Sequence, residues 1–213
     1  MTPPKSIIDG ASPLCIDASV AINLNATLLA ERILIALPMP VLITRSALGE
    51  LRVDHKNGRD DAALTSRLIG NGSLGEAVFN EDAEGHFLRL TVGDAAETLD
   101  DGEAATIAHA ASTGAISVLD ERKATLLCAR LFPRVRVVSS LDVLAHPAVE
   151  GFLGAKVLGD AVFAALNGAR MRVPPPHIDW SERVVGAARL ETCESIPLDV
   201  RMRLRRKIAG GTE

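Results

Sequence analysis

Short apolar runs that end in an acidic residue recur along the chain. Leu14-Cys15-Ile16 runs into Asp17, and Ile116-Ser117-Val118-Leu119 runs into Asp120. Each run is brief and uninterrupted, the pattern of a strand buried on both faces. Val41-Leu42-Ile43 and Val135 to Val138 read the same way. Between the first two strands, Ala18 to Leu37 places apolar residues at Val20, Ile22, Leu24, Leu28, Leu29, Ile33 and Leu37. That spacing predicts helix, with a break near Asn23 and Asn25 and a stop at Pro38 and Pro40. Thr44 or Ser46 can cap a helix running through Glu50 to Val53. A polar stretch from Asp54 to Asp61 precedes a helix over Ala62 to Ile69. Residues 70 to 86, rich in Gly, Asn and acids, predict a loop or insertion, and the alternation from Phe87 to Val92 predicts an added strand.

Further along, Leu99-Asp100-Asp101-Gly102-Glu103 opens a helix through Ala111 that Gly114 ends. Glu121 to Phe132 predicts a helix ended by Pro133, and Ser139 or Ser140 can cap the next. Strand and helix alternating at these lengths imply βαβ units and an α/β fold, with a mostly parallel sheet covered by helices on both faces. Glu150 to Leu166 predicts a helix ended by Gly168, and Met171-Arg172-Val173 a final edge strand. Pro174-Pro175-Pro176 is a hard break. Beyond it, Ile178 to Ile208 predicts one or two helices. The chain thus divides into a domain over residues 1–173 and a C-terminal helical extension over 174–213.

The 213 residues are 47% hydrophobic and 23% charged, enough for a full core and unlike a disordered chain. The net charge of −4 argues against a protein that coats nucleic acid, and the absence of Tyr beside one Trp and five Phe argues against a stacking platform for single strands. Neither excludes an enzyme that grips a few phosphates. Cys15, Cys128 and Cys193 are too far apart for a zinc knuckle, and reduced cytoplasmic thiols are the simplest reading. Met1 to Lys5 leads into no long apolar stretch, so no signal peptide is expected. The longest uncharged apolar run, Ile33 to Ile43, is broken by two prolines and falls short of the roughly 20 residues a membrane span needs.

The acids bring in chemistry. Asp17 and Asp120 each follow a strand and precede a helix, Glu103 lies in the first turn of its helix, and Glu50 follows the second strand. In an open parallel sheet the carboxyl ends of the strands share one rim, where ligands bind. Carboxylates gathered there repel one another, and the usual relief is a proton or a cation. An all-oxygen set without His or Cys suits Mg²⁺ or Mn²⁺ rather than zinc. Such an ion activates water and neutralises a phosphate under attack, so metal-assisted phosphodiester hydrolysis fits. Each acid alone also fits a structural role, as a helix cap or a favourable first-turn charge.

Four segments carry a family resemblance. Ile16-Asp17-Ala18-Ser19-Val20 resembles the opening motif of PIN-domain proteins, and Ala47-Leu48-Gly49-Glu50-Leu51 their second. Leu99 to Ala105, with its Gly102-Glu103 pair, is similar to their Gly-Glu helix start. Leu119-Asp120-Glu121-Arg122-Lys123-Ala124 resembles their fourth motif, and the order and spacing of all four match. The resemblance covers about residues 12 to 170 and is closest to the subgroup related to VapC-type toxins. It implies a three-layer α/β/α sandwich and a Mg²⁺- or Mn²⁺-dependent endoribonuclease, with Asp17, Glu50, Glu103 and Asp120 as the metal-binding acids. Ser19, Asp101 and Glu121 would be accessory, and Arg122 and Lys123 would meet phosphate. It also implies an RNA substrate, a small antitoxin protein as partner, and a homodimer. Asp54, one helical turn after Glu50, could support or replace it. The segment from Asp54 to Leu99 and the tail beyond Pro176 depart from the compact toxins. A PIN-like scaffold that binds RNA or a protein without cutting is the competing reading.

Other signals are bland. Gly70-Asn71-Gly72-Ser73-Leu74-Gly75 spells G-x-G-x-x-G, but no strand precedes it, which makes it a loop. The histidines at 55, 86, 109, 146 and 177 lack ligand spacing, and His109 reads as structural. The basic stretch of Arg201, Arg203, Arg205, Arg206 and Lys207 reads as a solvated helix face.

Overall fold

The computed structural model describes residues 12–51, 53–54, 58–95 and 97–210. Met1 to Lys5 and His55 lie outside the described residues. In chain order the elements are β1 (Leu14–Ile16), α1 (Ala18–Ala26), α2 (Ala30–Ala36), β2 (Val41–Thr44), α3 (Arg45–Glu50), β3 (Val53–Asp54), β4 (Arg59–Asp60), α4 (Asp61–Gly70) and β5 (Gly75–Ala77). There follow α5 (Glu81–Thr91), α6 (Asp101–Thr113), β6 (Ile116–Val118), α7 (Arg122–Leu131), β7 (Val137–Val138), α8 (Ser140–Leu144), α9 (Pro147–Leu153) and α10 (Ala155–Gly168). A 3₁₀ turn (Pro175–His177) then leads to α11 (Ile178–Val185), α12 (Ala187–Glu191) and α13 (Leu198–Gly210). Among the described residues no single helix is long and apolar enough to cross a membrane.

The chain packs as two compact units. One holds residues 12–22 and Leu37–Ser140; the other holds Asn23–Ala36 and residues 141–210. The first unit contains a five-stranded sheet in the order β5-β2-β1-β6-β7, every pair parallel. The protein is therefore an α/β protein. β1 sits at the centre with no exposed residue, in register with β2 (Leu14 opposite Val41) and β6 (Leu14 opposite Ile116). Strands covered on both faces cannot alternate polar and apolar positions, which is why the sequence shows plain apolar runs there. Leu90, Leu99, Ala104, Ile107, Leu119, Leu127, Cys128 and Phe132 form a core cluster among α5, α6 and α7. Fully burying one such leucine contributes about 1.5–3 kcal/mol.

Several expectations need correction. The segment over 70–86 is no loop throughout: it contains β5, a partly polar edge strand paired with β2 from Leu42 opposite Gly75. Phe87 to Val92 is not a strand but the end of α5. The Asn80 side chain accepts from the Ala83 N–H at 2.9 Å, and Glu81, Asp82 and Glu84 fill the first turn. The cap and acids fix the helix start, and Ala83, Phe87 and Leu90 then share one face. The helix after β2 stops at Glu50. Thr44 is its cap, accepting from the Ala47 N–H at 3.2 Å, and Leu51 is already extended. Asp54 lies in β3, paired antiparallel with β4, so its helical spacing from Glu50 does not exist.

In the second unit the single helix expected over Glu150 to Leu166 is two helices, α9 and α10. Gly154 joins them at φ 79°, a conformation that side chains with a Cβ avoid. Met171 to Val173 form no strand: an edge strand needs a neighbour to bond, and none pairs there among the described residues. The tail holds three helices rather than one or two, since Gly186 at φ 88° breaks α11 from α12. The basic residues of α13 are largely paired: Arg203 with Asp179 and Glu182, Arg205 with Glu191, and Lys207 with Glu182.

Candidate functional site

The strand order reverses between β1 and β6. From β1 the chain proceeds to β2 and β5 on one side, and from β6 to β7 on the other. Connections leaving the carboxyl ends of β1 and β6 diverge, and the crevice they leave is where open parallel sheets bind ligands. Asp17 follows β1 and Asp120 follows β6 by two residues, so both stand at this switch point.

Asp17 is buried, at 4% exposure. Its Oδ2 accepts from the Ser19 hydroxyl at 2.9 Å and the Ser19 N–H at 3.3 Å, much as a helix cap would. Its Oδ1 is buried without a hydrogen-bond partner. Capping therefore accounts for one oxygen and not the other. Burial pushes the Asp17 carboxyl above its usual range. Hydrogen bonds from Ser19 and the Ala18 and Ser19 amides pull it back, and the Asp100 charge pushes it up again.

Glu50 is the last residue of α3, where the helix dipole disfavours an anion. Its carboxylate instead reaches the start of α6 and accepts from the Gly102 N–H at 2.6 Å. A Cβ at Gly102 would fall 2.5–2.7 Å from the Glu50 carboxyl atoms, so glycine keeps that approach open. Burial raises the Glu50 carboxyl, the Gly102 bond lowers it, and Asp17, Asp100 and Asp101 raise it further.

Glu103 lies half-buried in the first turn of α6. Burial, then the charges of Asp17, Asp100, Glu121 and Glu50, push its carboxyl up to about 7. α6 is held beside β1 at this level, with Thr106 Oγ1 donating to the Gly102 carbonyl at 2.8 Å and lying 3.5 Å from that of Ile16. Asp17, Glu50 and Glu103, expected from the sequence, thus act on one another electrostatically, and Asp101 contributes.

Asp120 is placed differently. Its Oδ1 accepts from the Ser140 N–H at 2.9 Å and its Oδ2 from the Ser140 hydroxyl, tying the end of β6 to the start of α8. The cap of α7 is Glu121, which accepts from the Lys123 N–H at 3.3 Å. Arg122 is exposed at the start of α7, while the Lys123 ammonium donates to the Ala95 carbonyl at 2.7 Å. Arg122, Lys123, Leu126 and Arg130 help line an open recess of about 440 Å³.

Sequence reasoning passed over Asp100. It is the N-cap residue of α6, yet its side chain makes no capping bond. Its charge nevertheless bears on Asp17, Glu50 and Glu103 alike. The doublet Asp100-Asp101 before a Gly-Glu helix start was the available signal. His109 is buried on α6, and its burial lowers the imidazole pKa, in keeping with a structural role. G-x-G-x-x-G is the turn between α4 and β5.

Among the described residues no three His, Cys, Asp or Glu side chains already stand together as a metal-holding group. The donor chemistry still fits a hard divalent cation: every donor is a carboxylate oxygen, and a buried Oδ1 of Asp17 has no donor. No protein-family model, curated protein or solved structure matches the chain.

Proposed function

We propose that this chain is a PIN-like, Mg²⁺- or Mn²⁺-dependent endoribonuclease whose first unit is an α/β/α sandwich. The observation that carries the reading is the unpartnered Oδ1 of buried Asp17, set at the switch point among carboxylates that raise one another's pKa. A buried carboxylate oxygen without a partner is costly, and a cation relieves both that cost and the mutual repulsion. Asp17, Glu50 and Glu103 would hold the ion, with Asp120 at the same rim. Bound there, it would lower the pKa of a water and offset charge on a phosphate. The chain's own residues do the rest. The Gly102 amide fixes the direction of the Glu50 carboxylate, and Ser19 orients Asp17 so that one oxygen stays open. The exposed Arg122 guanidinium offers a fork for a phosphate oxygen.

RNA as substrate, and a small antitoxin and a second copy of the chain as partners, are carried by the resemblance of the four motifs, and a cytoplasmic setting by the three cysteines read as reduced thiols. The test is incubation of purified protein with total RNA in Mn²⁺, in Mg²⁺ and in EDTA, beside Asp17→Asn and Asp120→Asn. Metal-dependent cleavage abolished by the Asp17 change supports the enzyme. Folded protein that cleaves nothing while still retaining RNA on a filter would favour the non-cutting scaffold.

A further inference from the structure

We propose that Asp100 is a fifth carboxylate of this centre, a ligand for the divalent cation. The proposal rests on the metal-centre reading above and adds a residue that the four motifs do not assign. Three observations carry it. Asp100 holds the N-cap position of a 13-residue helix but leaves the capping task undone, while the carboxylate of Glu50 takes the Gly102 N–H in its place. The side chain is exposed. The Glu50 carboxylate, 2.6 Å from the Gly102 N–H, lies at the α6 start two residues from Asp100, and Thr106 further along α6 lies 3.5 Å from the Ile16 carbonyl at the end of β1. The open Oδ1 of Asp17 is the independent mark of a ligand there, since its residue is 4% exposed and no protein donor reaches that atom. A carboxylate released from capping and a buried carboxylate oxygen with an unshared lone pair are the hard oxygen donors that would suit such a cation.

The experiment is calorimetric titration of Mn²⁺ alone into the full chain and into Asp100→Asn, Asp17→Asn and Asp82→Asn, with melting curves in EDTA for each. Asp82 stands at the exposed start of α5 and controls for the loss of one negative charge. Asp100→Asn should weaken Mn²⁺ binding about tenfold. Its melting temperature in EDTA should hold or rise, because a repelling charge is gone, and Asp82→Asn should bind as the parent does. Parent-like Mn²⁺ affinity in Asp100→Asn, with binding lost in Asp17→Asn, would overturn the assignment of Asp100 and leave the centre intact. Parent-like affinity in Asp17→Asn as well would overturn the metal centre itself.

Discussion

The carboxylate of Glu50, at the end of one helix, rests on the backbone N–H of Gly102, at the start of another, 2.6 Å away. The bond joins two of the four motifs, and it explains why a glycine precedes Glu103. The obstacle a side chain at 102 would meet is the tip of a flexible Glu, not backbone. Gly102→Ala should therefore fold. The better helix propensity of Ala roughly offsets the lost hydrogen bond, each about 1 kcal/mol. Glu50 would swing away, and Mn²⁺ affinity should fall about tenfold. Melting curves beside a Mn²⁺ titration check this; a parent-like titration would mean the placement of Glu50 is irrelevant to the ion.

Glu103 should leave a pH signature in metal-free protein. Its folded pKa is raised from 4.5 to about 7. Between those values the folded state binds more protons than the unfolded one, so stability is present at low pH and is lost as pH rises through about 7. In EDTA the melting temperature should climb as pH drops from 8 toward 5, and Glu103→Gln should flatten the climb. Saturating Mn²⁺, which competes with the proton, should reverse the preference.

Ser140 should matter for stability. It is fully buried, and both its amide and hydroxyl serve the Asp120 carboxylate. Ser140→Ala removes one hydrogen bond to a charged group, a loss of about 1.5–3 kcal/mol by denaturant unfolding. If Asp120 shares the ion, cleavage of RNA should fall with it.

Leu28 sits at φ 61°, in the left-handed region, with its side chain 79% exposed. That conformation costs a residue with a Cβ roughly 1–2 kcal/mol, and little apolar burial offsets it. Leu28→Gly should hold or raise the melting temperature despite the greater freedom of the unfolded chain. A drop of several degrees would show that Leu28 is seated against something.

The parallel sheet was legible because β1, β2 and β6 are buried on both faces and announce themselves as bare apolar runs. β5 was not, since an edge strand with Gly75 and Glu76 carries no such run. α5 was misread because Leu88-Arg89-Leu90-Thr91-Val92 alternates locally, while the helical signal, Asn80 with three acids behind it, lies upstream. In the candidate site, Asp17 and Glu103 could be read from strand ends and helix starts. The idle cap at Asp100 and the bond from Glu50 to Gly102 could not, because both depend on which distant side chain claims the α6 amides.

The reversal of strand order between β1 and β6 also has a consequence for biosynthesis. The rim gathers Asp17 and Glu50 from early in translation with residues 100–103, and β6 must be laid beside β1 before the crevice closes. A ribosome-bound fragment that ends before α6 would carry Asp17 and Glu50 without residues 100–103 and Asp120. On the proposed function, a chain assembled this way could not cut while it is being made, and would gain that ability only when the sheet is whole.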